Sequence, residues 1–219
     1  MIAGVIFDLD GTILDSTPIW DQAAEMFLHS MGIEAENGLG KNMFSMSMQE
    51  GAAFLKGRYL PDMDVETIMA GINRTVEDFY FYQVQLKDGV ELFLKDMKQT
   101  GIKMVAATSS DRRVVEGALR RLKVMSFFER IFTSTEIGVG KVKPDIYLAA
   151  AEYMGTLPKD TWVFEDALYA IETAKNAGFR IVGVYDAYSI ENQEKIKGCS
   201  DIYLEKLADF GGFLKKVSL

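Results

Sequence analysis

Apolar residues fall along this 219-residue chain in two rhythms, and their alternation predicts the fold. Short unbroken apolar runs at 2–7 (IAGVIF), 102–107 (IKMVAA), 161–164 (TWVF) and 180–185 (RIVGVY) read as strands, with a weaker one at 130–133 (RIFT). Between them the spacing changes to three and four. Val114, Val115, Ala118, Leu119 and Leu122 mark one face of a helix over 111–123, and Arg112, Arg113, Arg120 and Arg121 fall elsewhere. A helix over 144–154 starts with Pro144, whose fixed φ suits a first turn, and one over 166–177 stops at Gly178. Strands that are apolar throughout, separated by helices, predict a parallel sheet covered on both faces: an α/β, Rossmann-like fold.

Residues 17–87 break this alternation. Thr17 and Pro18 read as the N-cap and first turn of a helix that keeps Ile19, Ala23, Met26, Phe27 and Ser30 in register until Gly32. A second long pattern starts near Asp64 and carries Val65, Ile68, Met69, Ile72, Val76, Phe79 and Tyr80. No strand pattern lies between them. The expectation is a small all-helical domain, 17–87, inserted after the first strand of an α/β core formed by 1–16 and 88–219, with hinges near 14–17 and 85–89.

Ligands of an open parallel sheet bind beyond the carboxyl ends of its strands. The residues after each apolar run are therefore the candidates for chemistry. They are Asp8 and Asp10 after the run at 2–7, Thr108, Ser109 and Ser110 after that at 102–107, and Glu165 and Asp166 after that at 161–164. A loop past the weaker strand, GVGKVKPD, delivers Lys141 and Lys143. Carboxylates at the mouth of a buried strand are expensive unless they stand in water or meet positive charge. Several converging carboxylates repel one another unless a divalent ion sits among them, and oxygen ligands with room for water and phosphate suit Mg²⁺. Acids, hydroxyls and an ammonium around such an ion suit the spread negative charge of a phosphoryl group in transfer.

Composition narrows the class without changing it. The formal net charge of −8 argues against duplex nucleic acid and anionic membrane surfaces as partners, so a site for a small phosphorylated metabolite must concentrate its positive charge locally. Cys199 is the single cysteine, which excludes an internal disulfide and fits a reducing, cytoplasmic setting. The apolar run of MIAGVIFDLD is too short for a signal sequence, and no stretch approaches the roughly 20 apolar residues of a membrane helix. Oligomeric state is left open, with a monomer as the simpler expectation.

DLDGT at 8–12, the hydroxyl of Thr108, KVKPD from Lys141 and FEDALYAIETAKNAG from Phe164 together resemble the four motifs of the haloacid dehalogenase superfamily of aspartate-based phosphohydrolases. The helical insertion resembles that superfamily's small cap. The resemblance implies that Asp8 is a nucleophile forming an aspartyl-phosphate, and that Asp10 protonates the leaving alcohol and then activates water. It implies that Thr108 binds a phosphoryl oxygen, with Ser109 beside the substrate, and that Lys141 neutralises charge and holds Asp8. Mg²⁺ would be bound by Asp8, the main-chain carbonyl of Asp10 and Asp166, with Glu165 as an extra ligand or one step behind. Gly11 would permit the turn after the strand.

The chain also departs from the pattern. Lys143 could share or take the role of Lys141, and Ala170 replaces a frequent glycine or aspartate. Asp10 is present, unlike in the dehalogenase branch. Trp20 stands where the related β-phosphoglucomutases carry a histidine, and 42–50 (NMFSMSMQE) lacks their phosphate-binding arginine, so a phosphatase is expected and a phosphomutase is the alternative. A phosphate-accepting signalling domain is a further rival, disfavoured by length and by DxDGT.

Other features read more plainly. GVGK is no nucleotide P-loop, because Thr135 and Val142 replace the required glycine and hydroxyl. His29, alone of its kind, reads as structural. Met43, Met46 and Met48 read as core filling before substrate surface, and FYFY at 79–82 as core before stacking. Trp20 is a candidate to face the substrate. Lys41, Lys56, Arg58 and Arg74 read mostly as solvated surface.

Overall fold

The computed structural model describes residues 2–217; the ends of the expected core, residue 1 and residues 218–219, lie outside it. Six strands form one parallel sheet: β1 (Gly4–Phe7), β2 (Lys103–Thr108), β3 (Ile131–Thr133), β4 (Thr161–Glu165), β5 (Arg180–Val184) and β6 (Ile202–Leu204), in the order β3-β2-β1-β4-β5-β6. The five expected strands are all present. The sixth, Ile202–Leu204, is a three-residue edge strand that the sequence reading did not assign.

The helices in chain order are α1 (Thr17–Ser30), α2 (Leu39–Met43), α3 (Met48–Arg58), α4 (Val65–Asp78), α5 (Val90–Gln99), α6 (Arg112–Arg121), α7 (Ser134–Ile137), α8 (Asp145–Met154), α9 (Leu168–Asn176), α10 (Gln193–Cys199) and α11 (Phe210–Val217). Alternate strand residues face opposite sides of the sheet. Val5, Phe7, Met104, Ala106, Trp162, Phe164 and Val182 pack with residues of α5, α6 and α11. Ile6, Val105, Ala107, Val163 and Ile181 pack with Ile146, Tyr147 and Ala150 of α8, Ile171 and Ala174 of α9, and Ile196 of α10. Two apolar faces per strand explain the unbroken hydrophobic runs.

Between β1 and α5 the chain is helical throughout, ending in one π-helical turn at Phe79–Gln83. Here the structure corrects the expected start of α1. Ser16, not Thr17, occupies the cap position, and it makes no capping bond, because its hydroxyl is spent on Asp10 at 2.6 Å. Asp64 does cap α4, accepting from the Thr67 N–H at 2.7 Å, and Gly32 does follow α1 in the left-handed conformation, φ +75°. Helix α3 was not expected, since its buried face is Met48, Gly51, Ala52 and Leu55, two of them small residues that leave little amphipathic signal; a Ser47/Glu50 capping box starts it. Helix α5 likewise goes unassigned in the sequence reading, although Val90, Phe93, Leu94 and Met97 repeat on one face. The two connections of this helical segment lie side by side: Asp15 N–H donates to Gln85 O at 3.0 Å, and Lys87 N–H to Ile13 O at 3.0 Å. Among the described residues no helix is long and apolar enough to cross a membrane.

Helices α1 and α2 approach until only glycine fits. A Cβ at Gly40 would lie 2.0 Å from the backbone carbonyl oxygen of Asp21, which cannot swing away as a side chain could. Gly40→Ala is expected to destabilise the protein by about 1–3 kcal/mol, the range for overpacking, read as a lower urea midpoint.

Candidate active site

The site sits where the strand order reverses. β1 pairs with β2 on one side and β4 on the other, so the crossovers diverge there and leave a crevice beyond the carboxyl ends of β1 and β4. Phe7 registers with Phe164, their rings 4.5 Å apart, and the next residues, Asp8 and Glu165, emerge on adjacent strand tips. The Asp8 N–H donates to Phe164 O at 2.9 Å, which extends the ladder by one step and fixes where the carboxylate leaves the sheet.

After Asp8 the chain turns sharply. Gly11 has φ +88°, and a Cβ there would meet Asp166 Oδ2 at 2.5 Å, so glycine serves both the turn and the space for that carboxylate. Thr12 Oγ1 donates to Asp166 Oδ1 at 3.0 Å. Lys87 Nζ donates to the carbonyl oxygens of Gly11 and Tyr185, both at 2.5 Å, and pairs with Asp186 at 3.0 Å, tying the turn to the loop after β5.

Lys141 is buried and bonds both Asp8 Oδ1 and, at 2.9 Å, Glu165 Oε2. Lys143 is exposed. Of the two lysines, Lys141 is the one that contacts these carboxylates. Glu165 is fully engaged: Tyr147 donates to its Oε2 at 3.1 Å, and the N–H groups of Asp166 and Ala167 to its Oε1 at 3.2 and 3.3 Å. That occupancy suits an anchor for Lys141 better than a free ligand.

Asp8, Glu165 and Asp166 are all buried, with ligand oxygens within 4.8 Å of one another, and Lys141 is the one cation bonded among them. Burial pushes the Asp8 carboxyl well above the usual carboxylate range, and Glu165 adds to this against the pull of Lys141. Burial, then Glu165 and Asp8, raise Asp166 in the same way. Burial alone would lower Lys141, but Asp8 and Glu165 outweigh it and hold the ammonium charged. Asp8 Oδ2 is buried and has no hydrogen-bond partner. An orphaned carboxylate oxygen within an under-compensated acidic cluster fits a divalent metal ion.

Asp10 lies in a ring of hydroxyls. Ser16 at 2.6 Å and Tyr80 donate to its Oδ1; Ser110 at 2.6 Å and Thr108 at 3.2 Å donate to its Oδ2. Trp20 Nε1 donates in turn to the Tyr80 hydroxyl. Ser109 lines the cavity and lies 3.4 Å from Ser134 Oγ. Thr108 points at Asp10 in this arrangement. Ser16 and Tyr80 were not read from sequence as partners of Asp10, and nothing there ties residue 80 to residue 10; the fold joins them across 70 positions. Tyr80 is fully buried, as read for FYFY, with its hydroxyl bonded to Asp10, whereas Tyr82 departs from that reading at 73% exposed.

Asp8, Asp10, Lys141, Glu165, Asp166, Trp20 and Ser109 all border one cavity of about 140 Å³, closed on its far side by the helical segment. Met43, Met46 and Met48 line it too, and Met48 also belongs to the apolar core. His29 is exposed, bonds Glu34 at 3.1 Å and takes no part.

Residues 5–184 match the family model described as haloacid dehalogenase-like hydrolase. The chain belongs to the haloacid dehalogenase-like hydrolase family. It is 27% identical over 214 residues to the phosphorylated carbohydrates phosphatase of Thermotoga maritima, covering 97% of this chain and 98% of that one. It is 28% identical over 212 residues to the β-phosphoglucomutase of Bacillus subtilis, covering 93% and 92%. The crystal structure of CbbY from Rhodobacter sphaeroides in complex with phosphate shares the fold at a TM-score of 0.85, with 21% identity over the whole of both chains.

Removing Lys141 alone would leave Asp8 and Glu165 facing each other in the interior. Lys141→Met is expected to cost roughly 3–5 kcal/mol of stability, measured by urea unfolding. The double variant Lys141→Met/Glu165→Gln should recover a large part of it.

Proposed function

We propose that this hydrolase is a Mg²⁺-dependent phosphatase of small organic phosphate monoesters working through an aspartyl-phosphate. The observation that carries the reading is the orphaned Asp8 Oδ2 beside a hydroxyl-held Asp10, both bordering one cavity. Asp8 attacks phosphorus; an Asp8 oxygen–phosphorus bond forms as the ester phosphorus–oxygen bond breaks, and Asp10 gives its proton to the departing alkoxide. Asp10 then takes a proton from water, whose oxygen attacks the aspartyl-phosphate and frees inorganic phosphate and the Asp8 carboxylate. Lys141 fixes Asp8 and offsets charge that develops on the phosphoryl oxygens.

Asp8, Asp166 and the main-chain carbonyl of Asp10 would hold the metal, with Glu165 behind them on Lys141. When bound, the ion supplies charge stabilisation for the phosphoryl group. Residues 17–87 act as a cap on the core formed by 1–16 and 88–219, excluding bulk water from the reacting centre.

The phosphomutase alternative needs a second phosphate to be gripped at the far end of the site. Lys141 is the only lysine or arginine among the residues lining the cavity, and Trp20 Nε1 is committed to Tyr80, which favours hydrolysis. With a hexose 1-phosphate, free phosphate would support hydrolysis and hexose 6-phosphate would support transfer.

Asp8→Asn is expected to lower p-nitrophenyl phosphate turnover by roughly a thousandfold or more with an unchanged circular-dichroism spectrum. EDTA should abolish wild-type turnover and added Mg²⁺ restore it. Tyr80→Phe removes one donor from Asp10, a charge-assisted bond worth about 1.5–3 kcal/mol, so alkyl phosphate turnover should fall about 10–100-fold. A dinitrophenyl ester, whose leaving group needs no proton, should lose less than about threefold; equal losses on both esters would refute a role through Asp10.

A further inference from the structure

We propose that the alcohol released at this site carries an apolar body and no second charged group: the substrate is an aliphatic or aromatic monoester rather than a sugar phosphate, a bisphosphate or a phosphorylated acid. This rests on the phosphatase reading and deepens it.

The cavity has two unlike walls. On the sheet side stand the carboxylates and Lys141, whose ammonium is bonded to both Asp8 and Glu165. Opposite them, where a leaving group must lie, the wall is Trp20, Met43, Phe44, Met46, Met48 and Ile72. None of Lys41, Lys56, Arg58 and Arg74 borders the cavity, and Arg58 is paired with Glu36 at 2.5 Å. A carboxylate or second phosphate on the leaving group would be desolvated with no cation to meet it, close to Asp8, Asp10 and Asp166.

Neutral polar groups are scarce as well. The indole N–H of Trp20 donates to Tyr80, and Ser109 faces Ser134. Ser47 Oγ accepts from the Glu50 N–H as the cap of α3. Two hydroxyls of this region are free: Thr17 Oγ1, buried and without a partner, and that of Tyr169, which borders the cavity beside Phe44. A hexose brings several hydroxyls that would lose water here with few partners to replace it, each costing affinity. An aliphatic or aromatic body meets the opposite condition. The thioethers adapt to its shape, and the Phe44 ring, edge-on to Tyr169 at 6.1 Å and 44% exposed, extends the wall toward solvent.

The test compares kcat/KM of the full chain with Mg²⁺ on esters of primary alcohols of similar basicity: benzyl phosphate, n-butyl phosphate, a hexose 6-phosphate and phosphoglycolate. Benzyl or butyl phosphate should exceed the hexose ester by at least about tenfold and phosphoglycolate by at least about a hundredfold. A hexose phosphate or phosphoglycolate turned over as well as the apolar esters would overturn the proposal while leaving the phosphatase reading intact. No release of phosphate from any of these esters or from p-nitrophenyl phosphate would overturn both. Met46→Lys should raise the phosphoglycolate to benzyl phosphate ratio at least about tenfold, by placing an ammonium on the apolar wall. An unchanged ratio would overturn the placement of the leaving group against it.

Discussion

One buried ammonium holds this site together. Lys141 lies between Asp8 and Glu165, and without it the tips of β1 and β4 would carry like charges in the interior. The arrangement leaves more negative than positive charge. That surplus suits the dication proposed above, and the Glu165 carboxylate is itself satisfied: Tyr147 shares Oε2 with Lys141, and two backbone N–H groups donate to Oε1. Stability and the proposed binding of an ion thus draw on the same carboxylates.

A parallel sheet supplies the rigidity this needs. Phe7 and Phe164 lie one residue before Asp8 and Glu165, their rings pack on each other, and the Phe164 ring packs with Phe93 and Phe213. Side chains so anchored leave the sheet in fixed directions, and the turn at Gly11 brings the backbone close enough for Asp166 to enter. The loops beyond carry the polar groups, while the strands carry only their placement.

The helical segment contributes chemistry as well as cover. Ser16 begins it and Tyr80 ends it, and both donate to Asp10, so the carboxylate proposed as acid and base is held from the sheet side by Thr108 and Ser110 and from the insertion by two more hydroxyls. Trp20 serves the Tyr80 hydroxyl and also forms part of the apolar wall. The same few residues therefore bear on proton transfer and on the choice of leaving group.

The unbroken apolar runs, the helical spacing between them and the acids that follow the runs made the α/β class, five strands and the gathering of Asp8, Asp10, Glu165 and Asp166 with a lysine of the 138–145 loop legible in the chain. Such features are local, since a strand buried on both faces must be apolar throughout and its tip must be polar. Which lysine enters the site was not legible, because Lys141 and Lys143 differ only in how one loop folds. Nor was the bond from Tyr80 to Asp10, or the choice of Ser16 to serve a carboxylate instead of a helix end. Those depend on segments far apart in sequence meeting in space, and spacing along a chain does not encode such meetings.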